Sequence, residues 1–191
     1  MVTGVPGSGK TVILLARAVH LVREHPDWKI QILTYNKSLQ TKIENKLNML
    51  AEDLTFMDVR IENIEVSTFH KFALHITNVG VPNKPTEDWW KKELPDLALQ
   101  KVKPHCDAIL IDEYQDFHDH WVKLCVKACV EHTYLNHSNK EVVGKNLFLA
   151  GDRLQSIYNK NEHSWKGLGI DMRGRSTLLK KSYLQGMSIS I

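Results

Sequence analysis

Eight residues near the start of the chain, Gly4-Val5-Pro6-Gly7-Ser8-Gly9-Lys10-Thr11, constrain what can follow them more than any other feature. They fit the pattern G-x-x-x-x-G-K-[ST], whose glycines remove the Cβ atoms that would stop backbone N–H groups from closing around phosphate oxygens. In such a loop Gly4, Gly7, Ser8 and Gly9 line the cradle, Lys10 reaches the β- and γ-phosphates of a nucleotide, and the Thr11 hydroxyl holds Mg²⁺. Met1, Val2 and Thr3 read as the remnant of a strand, and the stretch from Val12 to Glu24 is apolar and helix-forming. The phosphates would therefore meet a helix N-terminus, where backbone N–H groups and the helix dipole favour an anion. A flexible glycine turn would explain the glycines but not this strand and helix around them.

The rest of the chain repeats a βα rhythm. Lys29 to Tyr35 is a short β-rich run, and Ser38 to Glu52 carries leucines and Ile43 at near-helical spacing. Ile64 to Ser67 is another β-type run, and Ala108 to Ile111 and Asn146 to Ala150 are further runs of strand length, the first fully apolar. Continuous apolar strands separated by helices predict a parallel sheet buried on both faces, an α/β fold with helices on each side. The polar, proline-bearing stretch 76–105, which contains Trp89-Trp90, reads as a short helical insertion rather than another core layer. Tyr134 to Lys145 is polar and reads as a loop.

The 191 residues suit one domain of ordinary size, with 42% apolar and 25% charged residues in a globular balance. No apolar run is long enough to span a bilayer, and no signal peptide precedes the glycine loop, so a cytoplasmic, non-membrane protein is expected. Three cysteines, Cys106, Cys125 and Cys129, form neither a disulfide framework nor a zinc-ribbon spacing. Cys125, Cys129 and His132 fall at i, i+4 and i+7 of an expected helix. Trp121, Leu124 and Ala128 share that side, so it reads as a buried apolar face and not a metal site. A net charge of +3 is too mild to argue for a nucleic-acid partner.

Ile109-Leu110-Ile111-Asp112-Glu113 is an apolar strand that ends in two carboxylates. At the C-terminal edge of a parallel sheet both acids would stand beside the glycine loop, where α/β folds bind ligands. Asp112 then serves Mg²⁺ and Glu113 polarises an attacking water. An Asp-Glu pair that merely caps the next helix is the simpler reading of the dipeptide alone. The phosphate loop about a hundred residues upstream favours the catalytic one.

Four further segments sharpen this. Asp112-Glu113-Tyr114-Gln115-Asp116 resembles the D-E-x-Q-D box of UvrD/Rep-type superfamily 1 helicases, and Gly151-Asp152-Arg153-Leu154-Gln155-Ser156-Ile157-Tyr158 resembles their third motif. Leu33-Thr34-Tyr35-Asn36-Lys37-Ser38-Leu39 is similar to motif Ia, and Ser67-Thr68-Phe69-His70-Lys71-Phe72 to motif Ib. With the P-loop they stand in the family's order from Gly4 to Tyr158. The resemblance implies a P-loop NTPase fold of the RecA-like kind over residues 1–175, ATP and Mg²⁺ as cofactors, and single-stranded DNA as partner. It implies that Lys10, Glu113 and Gln155 are catalytic, Gln155 sensing the γ-phosphate. Tyr35, Asn36, Thr68 and His70 would line the strand track. Trp165 stands where the family places an exposed tryptophan; a stacking residue and a plug at the core edge are equally open.

The chain also departs from the family's pattern. It has no glutamine-bearing adenine-reading segment before the loop, and the 76–105 stretch replaces a large helical subdomain. The start of motif IV, Leu178 to Leu184, carries Leu184 where an arginine is expected. Residues 176–191 therefore read as the beginning of a linker or second domain, and the whole as a monomeric half-motor awaiting a second RecA-like domain in cis. A module that binds nucleotide without hydrolysis, or a P-loop ATPase acting on RNA, are the competing readings.

Overall fold

The computed structural model describes residues 1–53, 59–135, 138–152, 167, 168, 170 and 176–181. Among these, the strands are β1 (Val2–Gly4), β2 (Ile30–Thr34), β3 (Ile64–Thr68), β4 (Ala108–Asp112), β5 (Glu131–Leu135), β6 (Glu141–Gly151) and β7 (Thr177–Leu179). The helices are α1 (Lys10–Glu24), α2 (Lys37–Asp53), α3 (Phe69–Thr77), α4 (Leu94–Lys101) and α5 (Asp119–Ala128).

The sheet runs β3-β2-β4-β6-β1-β7, parallel throughout that path, with β5 added antiparallel to β6. Side chains alternate across a strand, so a strand that is apolar at every position must be covered twice. Ile30 and Ile32 of β2, with Ala108 and Leu110 of β4, meet Leu14, Leu15, Leu21, Ile43 and Leu47 of α1 and α2. Leu33, Ile109 and Ile111 point the other way, onto Phe69 and Phe72 of α3, Leu94 and Ala98 of α4 and Trp121 of α5. The expected α/β sheet with helices on both faces is therefore the observed fold.

Four sequence expectations need correction. The 76–105 stretch does form a core layer: Trp89, Leu94, Ala98 and Val102 are buried with α3 and α5, so one face of the sheet depends on it. Residues 134–145 are not a plain loop. The first part of β6 is paired with β5, Tyr134 opposite Val142 and Glu131 opposite Lys145, before β6 enters the parallel sheet at Asn146 opposite Ala108. Polar exposed residues on both arms hid that hairpin. Third, α5 ends at Ala128, so His132 lies on β5 and not on the helix of Cys125. Finally, β7 pairs with β1, Thr3 opposite Leu178, so the sheet runs past the boundary expected at 176. The end of the motif IV segment, including Leu184, falls outside the described residues.

Candidate functional site

β6 lies between β1 and β4, with Thr3 opposite Gly151 and Asp112 opposite Ala150. That register brings the C-terminal ends of three strands side by side, and the residues that follow each strand face one cleft. It has a volume of ≈ 830 Å³ and is lined by the Pro6–Ile13 segment, Lys46, Glu113, Asp152 and Leu179.

The loop enters α1 through Gly9, whose φ of 88° and ψ of 13° lie in the left-handed region where a side chain is strained. Gly4 is required for a different reason. A Cβ there would stand 2.7 Å from Ser8 Oγ and 2.8 Å from Leu179 Cβ, because the loop rests directly on β7. Lys10 Nζ donates to the carbonyls of Gly4 at 2.9 Å and Val5 at 3.2 Å, so the ammonium is held inside the curve of the loop. The Ser8 hydroxyl is buried in the cradle with no hydrogen-bond partner. Such an orphan costs roughly 1–3 kcal/mol until something supplies a partner.

Thr11 Oγ1 donates to Asp112 Oδ2 at 2.9 Å, joining the loop to the end of β4. Asp112 is fully buried, and burial pushes its carboxyl up to about 6, the neighbouring Glu113 charge adding to the rise while the Thr11 and Glu113 N–H bonds and Lys10 oppose it. A carboxylate that is both desolvated and pointed at a hydroxyl in a phosphate cradle suits a hard cation with oxygen ligands. Thr11 and Asp112 thus fit Mg²⁺.

Glu113 sits at φ 51° and ψ 49°, left-handed, which costs a non-glycine residue roughly 1–2 kcal/mol. Its side chain is fixed by Gln115, whose Nε2 donates to Glu113 Oε2 at 2.7 Å. Gln115 Oε1 accepts from the Asp152 N–H at 3.1 Å. One buried amide therefore ties Glu113 to the segment that leaves β6. The sequence contains Gln115 within the acidic box but does not by itself assign it this bridging role. Lys46 in the cleft belongs to no motif, and nothing in the sequence marks it. Gln155 and Trp165 lie outside the described residues.

The residues expected to meet nucleic acid gather at the same end of the sheet, beyond β2 and β3. Tyr35 is 40% exposed and stacks on Trp121 with ring centroids 6.1 Å apart. Asn36 Oδ1 accepts from Leu39 N–H at 2.8 Å, capping α2, and Thr68 Oγ1 accepts from Lys71 N–H at 3.3 Å, capping α3. Both of these side chains thus already serve helix starts. His70 stands edge-on to Tyr35, and its Nε2 is buried with no hydrogen-bond partner. Burial lowers its pKa, with the His118 charge acting the same way and a hydrogen bond with the Trp90 backbone opposing them.

The cysteine and histidine groups are structural. Cys125 and Cys129 are buried, and burial pushes the Cys129 thiol up to about 11. His132 stacks on Trp28 at 4.2 Å and its Nε2 lies 3.3 Å from Asp107 Oδ1. His120 Nε2 is 2.7 Å from the Lys91 carbonyl, which fixes the proton on that nitrogen.

A phosphate cradle, a metal-suited hydroxyl and carboxylate pair, and a second acid on a parallel-sheet edge are the parts of a nucleotide-binding NTPase site. A search among curated proteins finds no match for the chain. Residues 1–161 match the family model for an AAA domain, a P-loop NTPase-like family found in UvrD/Rep-type helicases, and the chain belongs to that AAA domain family.

Proposed function

We propose that this chain is the ATP-binding motor domain of an ATP-dependent helicase or translocase that acts on single-stranded DNA. The observation that carries the reading is the hydrogen-bonded series Thr11–Asp112–Glu113–Gln115–Asp152, which runs from the phosphate loop to the segment expected to sense the γ-phosphate. A domain that only held a nucleotide would have no use for a second acid positioned by its own buried amide.

Lys10 exchanges the Gly4 and Val5 carbonyls for the β- and γ-phosphate oxygens, and a phosphate oxygen gives Ser8 Oγ a partner. Mg²⁺, held by Thr11 and Asp112, would supply charge neutralisation at the phosphates. Glu113 orients the attacking water and accepts its proton, while Gln115 keeps that carboxylate pointed into the cleft. The same amide ties Glu113 to the Asp152 backbone just past β6. At the neighbouring edge, Tyr35 offers an exposed stacking face to the strand, with the His70 ring edge-on beside it.

Fluorescence anisotropy of a labelled oligothymidylate tests the partner. The reading predicts weak, salt-sensitive binding that falls several-fold in His70→Ala. Equal binding by wild type and His70→Ala, or preference for blunt duplex over single strand, would contradict it. An oligouridylate measured in parallel assigns the sugar preference.

A further inference from the structure

Residues Trp89–Glu93 of the inserted stretch form a π-helical turn, Trp-Trp-Lys-Lys-Glu. Such turns are rare and occur frequently at functional sites. This one is fastened to the sheet from two directions. Trp89 is buried in the core, and the Lys91 carbonyl receives two side-chain donors from α5, His120 Nε2 at 2.7 Å and Trp121 Nε1 at 2.9 Å. The backbone of the turn is thereby held against the aromatic edge of the domain.

Trp89 already fills the core position, yet a second tryptophan follows it. Trp90 is half-buried, perpendicular to Trp89 with ring centroids 4.7 Å apart, and edge-on to His70 at 5.3 Å. His70 is in turn edge-on to the exposed ring of Tyr35 at 6.3 Å. Tyr35, His70 and Trp90 therefore form a continuous row from the ends of β2 and β3 onto the insertion. Lys91 and Lys92 follow immediately. The Lys91 ammonium is paired with the Glu87 carboxylate in open solvent, a pair that a phosphate can readily replace.

We propose that this turn is a strand-binding element of the domain. Trp90 gives one base of a single strand a second stacking face beyond Tyr35, and Lys91 and Lys92 hold the flanking phosphates. The inference rests on the single-strand reading above and assigns the inserted stretch a role in it. Stacking accepts any base, so the element contributes affinity without sequence preference.

The test is anisotropy of labelled oligothymidylate with the full chain at several salt concentrations. Trp90→Leu keeps apolar volume but removes the aromatic face, and should weaken binding roughly tenfold with an unchanged salt slope. Trp90→Phe should restore most of the affinity. The double variant Lys91→Gln, Lys92→Gln should lower the log–log salt slope by about 1.4. If Trp90→Leu binds like wild type while His70→Ala is weakened, this inference is overturned and the single-strand reading stands. Should Trp90→Leu not fold, an unchanged slope in the lysine double variant overturns it equally. Failure of wild type to bind any single strand overturns both.

Discussion

Lys10 donates to two carbonyls of the phosphate loop itself, and Ser8 Oγ has no hydrogen-bond partner. Phosphate oxygens would satisfy both groups at once, so much of the binding energy should pass through Lys10. Asp112 and Glu113 differ in environment although adjacent. Asp112 is desolvated with its carboxyl raised to about 6, whereas Glu113 lines the cleft and is fixed by Gln115. Asp112→Ala should therefore weaken Mg-dependent nucleotide binding, while Glu113→Gln leaves binding nearly intact and removes turnover in the complete enzyme. Nucleotide titration with and without Mg²⁺ separates the two, and identical behaviour would contradict the roles. Asp112 also makes a stability prediction. Its pKa is raised on folding from 3.8 to about 6, so its contribution is most favourable below 3.8, where it is protonated in both states, and is lost as pH rises through 6. The charged form then costs about 3 kcal/mol at pH 7. Asp112→Asn should raise the melting temperature at pH 7 by a few degrees and gain little at pH 4. A variant that is less stable at pH 7 would show that the Thr11 bond outweighs burial.

At the scale of elements, β4 was the most legible strand because it is apolar at consecutive positions, as a strand covered on both faces must be. β2 and β4 are buried at every residue. The phosphate loop and the acidic strand end were legible because their chemistry tolerates few substitutes. The β5–β6 hairpin was not: Glu131 to Leu135 is largely exposed, so no alternation in polarity marks it. The inserted stretch misled for the opposite reason. Polar residues separate Trp89, Leu94, Ala98 and Val102, and of the stretch's four prolines Pro95 lies in the first turn of α4, where proline is tolerated. Asn36 and Thr68 were picked out as strand contacts from a resemblance, and the geometry adds that each also caps a helix. Because α4 is core, Leu94→Ala should destabilise the domain by roughly 2–5 kcal/mol, measured by urea unfolding. A cost below about 0.5 kcal/mol, typical of a surface substitution, would return the stretch to the status of a detachable insertion.

At the scale of the molecule, the phosphate cleft and the aromatic row lie at one end of a single sheet. The phosphate cleft lies where β4, β6 and β1 end, and the aromatic row where β2 and β3 end, with β4 adjacent to β2. No described helix is long and apolar enough to cross a membrane. Among the described residues lining the cleft the cations are Lys10 and Lys46. An arginine on the transferring phosphoryl group is worth roughly 10³–10⁵ in rate, and the half-motor reading takes it from a second RecA-like domain, so that reading predicts phosphate release that is slow and unaffected by single-stranded DNA. Strong stimulation by DNA would show that the cleft is catalytically self-sufficient. All of these expectations depend on a nucleotide seated in the Gly4–Thr11 loop with Lys10 as its main positive charge. The direct measurement is an equilibrium titration of wild type and Lys10→Ala with a fluorescent ATP analogue in Mg²⁺ at pH 7. Saturable binding by wild type that falls at least tenfold in Lys10→Ala, about 1.4 kcal/mol, is the predicted result; equal binding by the two would contradict the account.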